Sequence, residues 1–447
     1  MKKFALIIIS VALVCCVTVN ASDSSTYIFS AVPEPTVSST GGEWSVIAAA
    51  RGSFEVPDGY FDKYYENVNA FLRENGGVLS SRKYTEYSRV VLALTAIGRN
   101  PEDMEGYNLV LPLTDYDTVI RQGINGAIWA LIALNSGSYD AGAVYGKYTE
   151  KILSAQNPDG GWAISEGGAS DIDVTAMAVC ALFPNKSLPV QNAVKSALAF
   201  LDGAQPASSE SLAQIIIAKC TAGITPTETE QLMRYKAPEG GFSHLIGGAV
   251  NLMATEQAFC ALAAVSRFER GKTPLYEMSD VLKIFTDVEN HSAKEQIYAL
   301  ASKGIINGKT PYIFDPDATM TRAEFAAIVT RALGISEESK DCFSDVLKDD
   351  WFYGCVCAAY SRGIVNGVSE PEFNPGGIMT AEEAAVMLCR AYNKDTSAAG
   401  DENVSAWARG AYSYCEKNGI FPEGIRPKNA VSRAQVAVML YNISKVG

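Results

Sequence analysis

Histidine is nearly missing from this 447-residue chain, which has only His244 and His291. No Ser-His-Asp set can be argued from them, and the ten cysteines include no second pair or histidine cluster to complete a zinc site. A glycine-rich phosphate loop is also lacking. Basic residues number 37 against 50 acidic ones and nowhere cluster; the formal charge of −13 argues against a nucleic acid or an anionic membrane as partner. After the N-terminal segment no apolar run is long enough to span a bilayer. Apolar residues themselves are plentiful, 48% of the chain, enough for two to four compact units at this length.

The first residues set the compartment. Lys2 and Lys3 precede an apolar run from Phe4 to Val19, and "VNA" ends at Ala21 with small residues at the cleavage positions. Residues 1–21 read as a signal peptide with Ser22 as the mature start, so the chain is expected outside the cell. A retained anchor is the alternative. A lipoprotein is disfavoured, because Val14 and Cys15 are poor residues before a lipidated cysteine. Of the eight cysteines beyond the signal, most fall in apolar helical patterns, and buried free thiols are expected.

After a linker over 22–42, residues 43–270 carry one repeat system. "PDGGWAISEGGASDIDVTAMAVCAL" from Pro158 aligns without a gap on "PEGGFSHLIGGAVNLMATEQAFCAL" from Pro238. Six Ala-rich, almost wholly apolar helices are expected, roughly 40 to 50 residues apart. Amphipathic helices, such as the one over 61–75, alternate with them. A helix that is apolar all round must be surrounded by protein, so inner and outer helices should close into an α/α ring. In "QNPDGGW" (156–162), Pro158 stops an outer helix, the glycines make the turn, and Trp162 packs between repeats.

A linker over 271–283 leads to a second repeat system, with a period of roughly 55 to 60 residues. "FTDV" at Phe285 matches "FSDV" at Phe343, and "GIING" at Gly304 matches "GIVNG" at Gly363. "MTRAEFAAIVTRAL" at Met320 matches "MTAEEAAVMLCRAY" at Met379 and "VSRAQVAVMLYNI" at Val431. These are three copies of a helix–loop–helix unit, over 284–336, 337–394 and 395–447.

The three copies resemble S-layer homology (SLH) domains. The resemblance implies a three-fold pseudo-symmetric helical bundle that attaches without covalent bonds to secondary cell-wall polysaccharide, often through pyruvylated sugars. It also implies that Arg322 and Arg433 contact the ligand and that Trp351 and Trp407 are the aromatic groove residues. Ala381 replaces the arginine in the middle copy, and Ser292 stands in the aromatic position of the first. An arginine fork suits a ketal carboxylate, and an indole face suits a sugar ring. Helix capping by the arginines and inter-repeat packing by the tryptophans are the structural alternatives. Copy three carries both Arg433 and Trp407 and is expected to form the strongest groove.

The first repeat system resembles the prenyltransferase/squalene-cyclase-like superfamily, which includes intrinsic-factor-like cobalamin carriers. "DIDVTA" (171–176) is similar to the cyclase acid motif, with Asp173 at the proton donor and Val174 in place of the final aspartate. Helix capping by Asp171 and by Asn251 at the matching position is the preferred reading. The polar groups expected near the inner-helix N-termini are Glu86, Arg89, Gln122, Asn125, Asp171, Asp173, His244, Asn251 and Glu256. Tyr87, Arg89, Asn125 and His244 could be assembled into a lyase set, although their spacing does not select it.

The fold class expected is all-α: an (α/α)6 toroid followed by a three-repeat SLH bundle. The functional expectation is an exported bacterial surface protein held on secondary cell-wall polysaccharide and located at the cell wall and S-layer. The toroid is expected to bind an unspecified small molecule or glycan. No catalytic residue, metal or cofactor is assigned. The alternative is a wall-anchored enzyme, either an isoprenoid cyclase or a polysaccharide lyase.

Overall fold

The computed structural model describes residues 27–137, 139–338, 340–397 and 401–446; the signal peptide expected over residues 1–21 lies outside them. The chain forms two compact units that divide between Val281 and Leu282. Regular structure among the described residues is helical, joined by isolated bridges. No described helix is long and apolar enough to cross a membrane.

In the first unit, six buried helices span Glu43–Arg51, Tyr84–Ala96, Gly123–Ser136, Ile172–Leu182, Ser209–Thr221 and Leu252–Glu269. Each packs on the next in chain order, and Leu252–Glu269 packs back on Glu43–Arg51. Trp44 and Trp129 belong to helices two places apart in this order, yet their rings meet at 5.1 Å. The longer intervening helices, Tyr60–Glu74, Val144–Ser154 and Leu188–Asp202, bury one stripe each.

The Gly-Gly turns are built alike. Trp162 is fully buried, and its indole N–H donates to Ile152 O at 2.6 Å. Its backbone N–H donates to Thr175 Oγ1 at 2.9 Å, as that of Phe242 does to Thr255 Oγ1. Gly160 holds φ 91°, and a Cβ there would lie 2.6 Å from Ser196 O, so glycine is required twice over.

Stretches expected as linkers contribute to this unit. Ile28, Phe29 and Val32 are buried, as are Leu275, Tyr276 and Met278. Residues 273–280 form a strap against the C-terminal ends of the ring helices. Arg51 ends the first of these helices and donates to the carbonyls of Leu275, Pro274 and Glu277. Arg51 also pairs with Asp280 at 2.7 Å, Arg267 pairs with the same carboxylate, and Met278 N–H donates to Ser136 O. Burial alone would raise the Asp280 carboxyl, but the two guanidiniums outweigh it and bring it down to about 2.

The second unit pairs helices Tyr353–Ser361, Arg409–Lys417 and Lys294–Ala301 with Arg322–Ala332, Ala381–Ala391 and Arg433–Ile443, respectively. The last three all begin with a capping box: Thr321 with Glu324, Thr380 with Glu383, and Ser432 with Gln435. Their entry segments join in a cycle of backbone bonds. Met379 N–H donates to Met320 O, Val431 N–H to Met379 O, and Met320 N–H to Val431 O. Cys342 and Cys357 form a disulfide, which departs from the free thiols expected. The other six described cysteines are free and buried. The pairing had no sequence signal, because Cys355 and Cys357 stood out only as a C-x-C spacing.

Candidate functional site

Each capping-box helix of the second unit docks its N-terminus on the loop of the following copy. Arg322 and Ala323 donate backbone N–H bonds to Gly377 O and Pro375 O. Ala381 and Glu382 donate to Asn429 O and Pro427 O, and Arg433 and Ala434 to Ala318 O and Pro316 O, closing the cycle. An arginine therefore faces the neighbouring copy and not its own.

Arg322 is 5% exposed. Its Nε donates to Phe373 O at 3.0 Å, Nη2 to Asn366 O at 2.9 Å, and Nη1 to Glu383 Oε1 at 3.3 Å. The guanidinium lies 4.8 Å above the Phe373 ring. Arg433 is 6% exposed and repeats the pattern on the first copy, donating to Phe314 O and Asn307 O and lying 4.6 Å above the Phe314 ring. Both loops are held from beneath by a carboxylate. Asp345 accepts from the N–H groups of Phe373 and Asn374, and Asp287 from those of Phe314 and Asp315.

Trp351 and Trp407 are 65% and 61% exposed, so inter-repeat packing does not account for them. Trp351 belongs to the copy that receives Arg322, and Trp407 to the copy that faces Ala381. Arg433 faces the copy that carries Ser292. Arg433 and Trp407, expected in one groove, thus lie on the third copy with the arginine turned to the first, while Arg322 is turned to the copy that carries Trp351.

The polar residues expected at the ring-helix N-termini separate into local groups. Asp171 and Asn251 cap their helices, accepting from Val174 N–H at 2.9 Å and Ala254 N–H at 3.0 Å. Asp173 is raised by desolvation, with the Ser211 hydrogen bond opposing and the charges of Asp171 and Glu210 adding to the rise. His244 Nδ1 lies 3.0 Å from Glu210, a partner the sequence reading missed. Asp171, Asp173 and His244 gather at the starts of helices Ile172–Leu182 and Ser209–Thr221, whereas Asn251 stands at the start of Leu252–Glu269.

The others lie elsewhere in the ring. Arg89 Nε donates to Glu43 Oε2 at 3.2 Å. Burial lifts Glu43 to about 7 against the opposing pull of Arg89. Glu256 is fully buried and accepts from Ser45 Oγ and from Gly41 N–H at 3.0 Å. Gln122 accepts from Thr85 N–H, Asn125 Oδ1 is buried without a partner, and Glu86 is half-buried. Tyr87 Oη accepts from Leu79 N–H, so the lyase set of Tyr87, Arg89, Asn125 and His244 is split among separate contacts. No group of three metal-ligating side chains occurs among the described residues.

The sequence model of the S-layer homology domain family matches residues 284–326 and 343–385. Relatives include an amylopullulanase of Thermoanaerobacterium thermosulfurigenes, 34% identical over 176 residues, which are 36% of this chain and 9% of that protein. The exoglucanase XynX of Acetivibrio thermocellus is 34% identical over 183 residues, covering 37% of this chain and 17% of its own. The surface-layer 125 kDa protein of Lysinibacillus sphaericus is 31% identical over 159 residues, covering 33% and 14%. The chain thus spans less than a fifth of each of these three proteins. Two SLH repeats are present, and the protein is a secreted protein of the cell surface.

Proposed function

We propose that the second unit is a three-repeat SLH bundle that holds the protein on secondary cell-wall polysaccharide, with pyruvylated sugars among its ligands. The observation that carries this is the pair of exposed indoles, Trp351 and Trp407, each two residues before the first helix of its copy. The third copy shares the capping box and backbone cycle of the two matched repeats. Arg322 spends three of its five N–H donors within the fold, leaving two for a ketal carboxylate, and Arg433 is placed alike. The test is co-sedimentation of the mature protein with purified sacculi before and after removal of the polysaccharide. Retention on stripped sacculi at undiminished level would refute the assignment.

The first unit is read as an (α/α)6 toroid of the prenyltransferase/squalene-cyclase-like kind, displayed as a ligand-binding module. The cyclic packing of the six helices supports the toroid. Binding is preferred to cyclisation because the rings of Trp44, Trp129 and Tyr276 pack against one another, tilted and edge-on, among the ring helices, where a cyclase would need open volume. Asp173→Asn is expected to leave any binding intact. Loss of an isoprenoid-cyclising activity in this variant, with the fold retained, would establish the enzyme instead.

A further inference from the structure

The seam between the second and third copies brings two thiols together. Helix Ala381–Ala391 packs there on Arg409–Lys417. Cys389 Sγ lies 3.9 Å from Cys415 Sγ, and both residues are buried, at 1% and 0% exposure. Cys389 Sγ also lies 3.7 Å from Ala411 O. The preceding seam, between Arg322–Ala332 and Tyr353–Ser361, keeps the same register without these thiols. Thr330 stands in the place of Cys389 and donates its hydroxyl to Cys355 O at 3.2 Å, and Ala359 stands in the place of Cys415. A matching seam thus packs without sulfur at either position. The other free thiols are placed differently. Cys180, Cys220 and Cys260 belong to the first unit, and Cys355 Sγ donates to Glu337 Oε1 at 3.6 Å.

We infer that Cys389 and Cys415 close into a disulfide in the mature protein, a covalent tie between the second and third copies. The protein is secreted, and the outside of the cell permits disulfides. The sulfurs have about 2 Å to close before they reach bonding distance. The oxidant is another disulfide, of a small molecule or of an oxidoreductase. One cysteine loses its proton, and its thiolate attacks that disulfide, displacing one thiolate and leaving a mixed disulfide. The second cysteine, also deprotonated, attacks the first cysteine's sulfur and displaces the other thiolate. The two displaced thiolates take up the two protons, so two cysteines are oxidised and one disulfide is reduced to two thiols. Both sulfurs are buried once the copies have docked, so the exchange belongs to folding. The bond falls in the seam where Ala381 stands in place of Arg322 and Arg433, and it holds the third copy where the guanidinium tie is missing.

The reduced, urea-unfolded mature protein is refolded in a buffer of reduced and oxidised glutathione, and its thiols are then counted by alkylation in denaturant and intact mass. Of the six cysteines now free, four should still carry thiols. Cys415→Ala should raise the count to five, because it leaves Cys389 without its partner. If the pair were open, the same change would lower the count by one, and the count is taken in denaturant whether or not the variant folds. Trypsin without reduction should yield peptide 363–390 joined to peptide 410–417. A count that falls in Cys415→Ala, a bond from either sulfur to another cysteine, or a glutathione adduct on either would each overturn the assignment. Cys389→Thr with Cys415→Ala installs the residues of the preceding seam. The oxidised wild type should exceed this double variant in urea resistance, by on the order of a hundredfold in the unfolding constant of the second unit. Equal resistance would overturn the role as a tie.

Discussion

Replacement of Trp351 by alanine separates wall binding from folding. The indole is 65% exposed and makes its ring contact with Phe352, so its loss should change stability by no more than about 0.5 kcal/mol. A sugar ring covering about 100 Å² of that face would contribute up to roughly 2.5 kcal/mol at 25 cal/mol per Å². Ordering costs on binding bring the expected loss to about 1–2 kcal/mol, roughly five- to thirtyfold in affinity. Trp407 is almost equally exposed but belongs to the copy that receives the helix beginning at Ala381, which brings no guanidinium. Trp407→Ala should therefore cost clearly less. Calorimetry of the mature protein against purified wall polysaccharide, with circular dichroism to verify native helicity, measures both. An equal or larger loss for Trp407→Ala, or no loss for either, would refute the pairing of Arg322 with the Trp351 copy.

Three further outcomes are expected. Trp162→Ala should destabilise the first unit by about 3–5 kcal/mol, read by chemical denaturation, because a fully buried indole with two backbone anchors is removed. Opening the Cys342–Cys357 disulfide, which closes a separation of 15 residues, by a Cys-to-Ser change at both positions should cost about 3 kcal/mol of second-unit stability, measured by urea midpoint. Folded Glu43 keeps its proton up to about pH 7, whereas an ordinary glutamate releases it near 4.5. The folded state thus binds more protons between those values, stability falls as pH rises through them, and Glu43→Gln should flatten that fall in a pH series of melting curves.

The ring helices were legible in the sequence because a segment such as Gly123–Ser136 is apolar on every face, which leaves it no solvent-facing side. The Gly-Gly turns were legible because φ > 0 at Gly160 and Gly240 leaves little choice of residue. The strap was not. "GKTPLYEMSD" reads as a linker by composition, and its fixing residue Arg51 lies 229 positions from Asp280. The polar groups near the ring-helix N-termini were placed on the right helix ends, but their partners Glu43, Glu210 and Ser45 come from other segments. Aligning repeats also assigns every residue to its own copy. In a closed three-fold cycle each of these helix N-termini docks on the next copy, which an alignment of repeats does not reveal.

The seam at Ala381 differs from the other two in more than the missing arginine. Position 382 is glutamate where the matching helices have Ala323 and Ala434. Its carboxylate accepts from both the N–H and the hydroxyl of Ser405, at 3.0 and 2.8 Å, and so ties the third copy to the second. The third copy has Asn403 where the others have Asp287 and Asp345, and its side chain turns to Asp401. A seam held elsewhere by a guanidinium under a loop is held here by a carboxylate. Relative to the other two seams one positive charge is lost and one negative charge is gained, which disfavours an anionic polymer. If Trp407 is a sugar platform as proposed, it is expected to be the weaker one for two independent reasons, the missing arginine and the added carboxylate, and the second would persist if an arginine were restored at position 381.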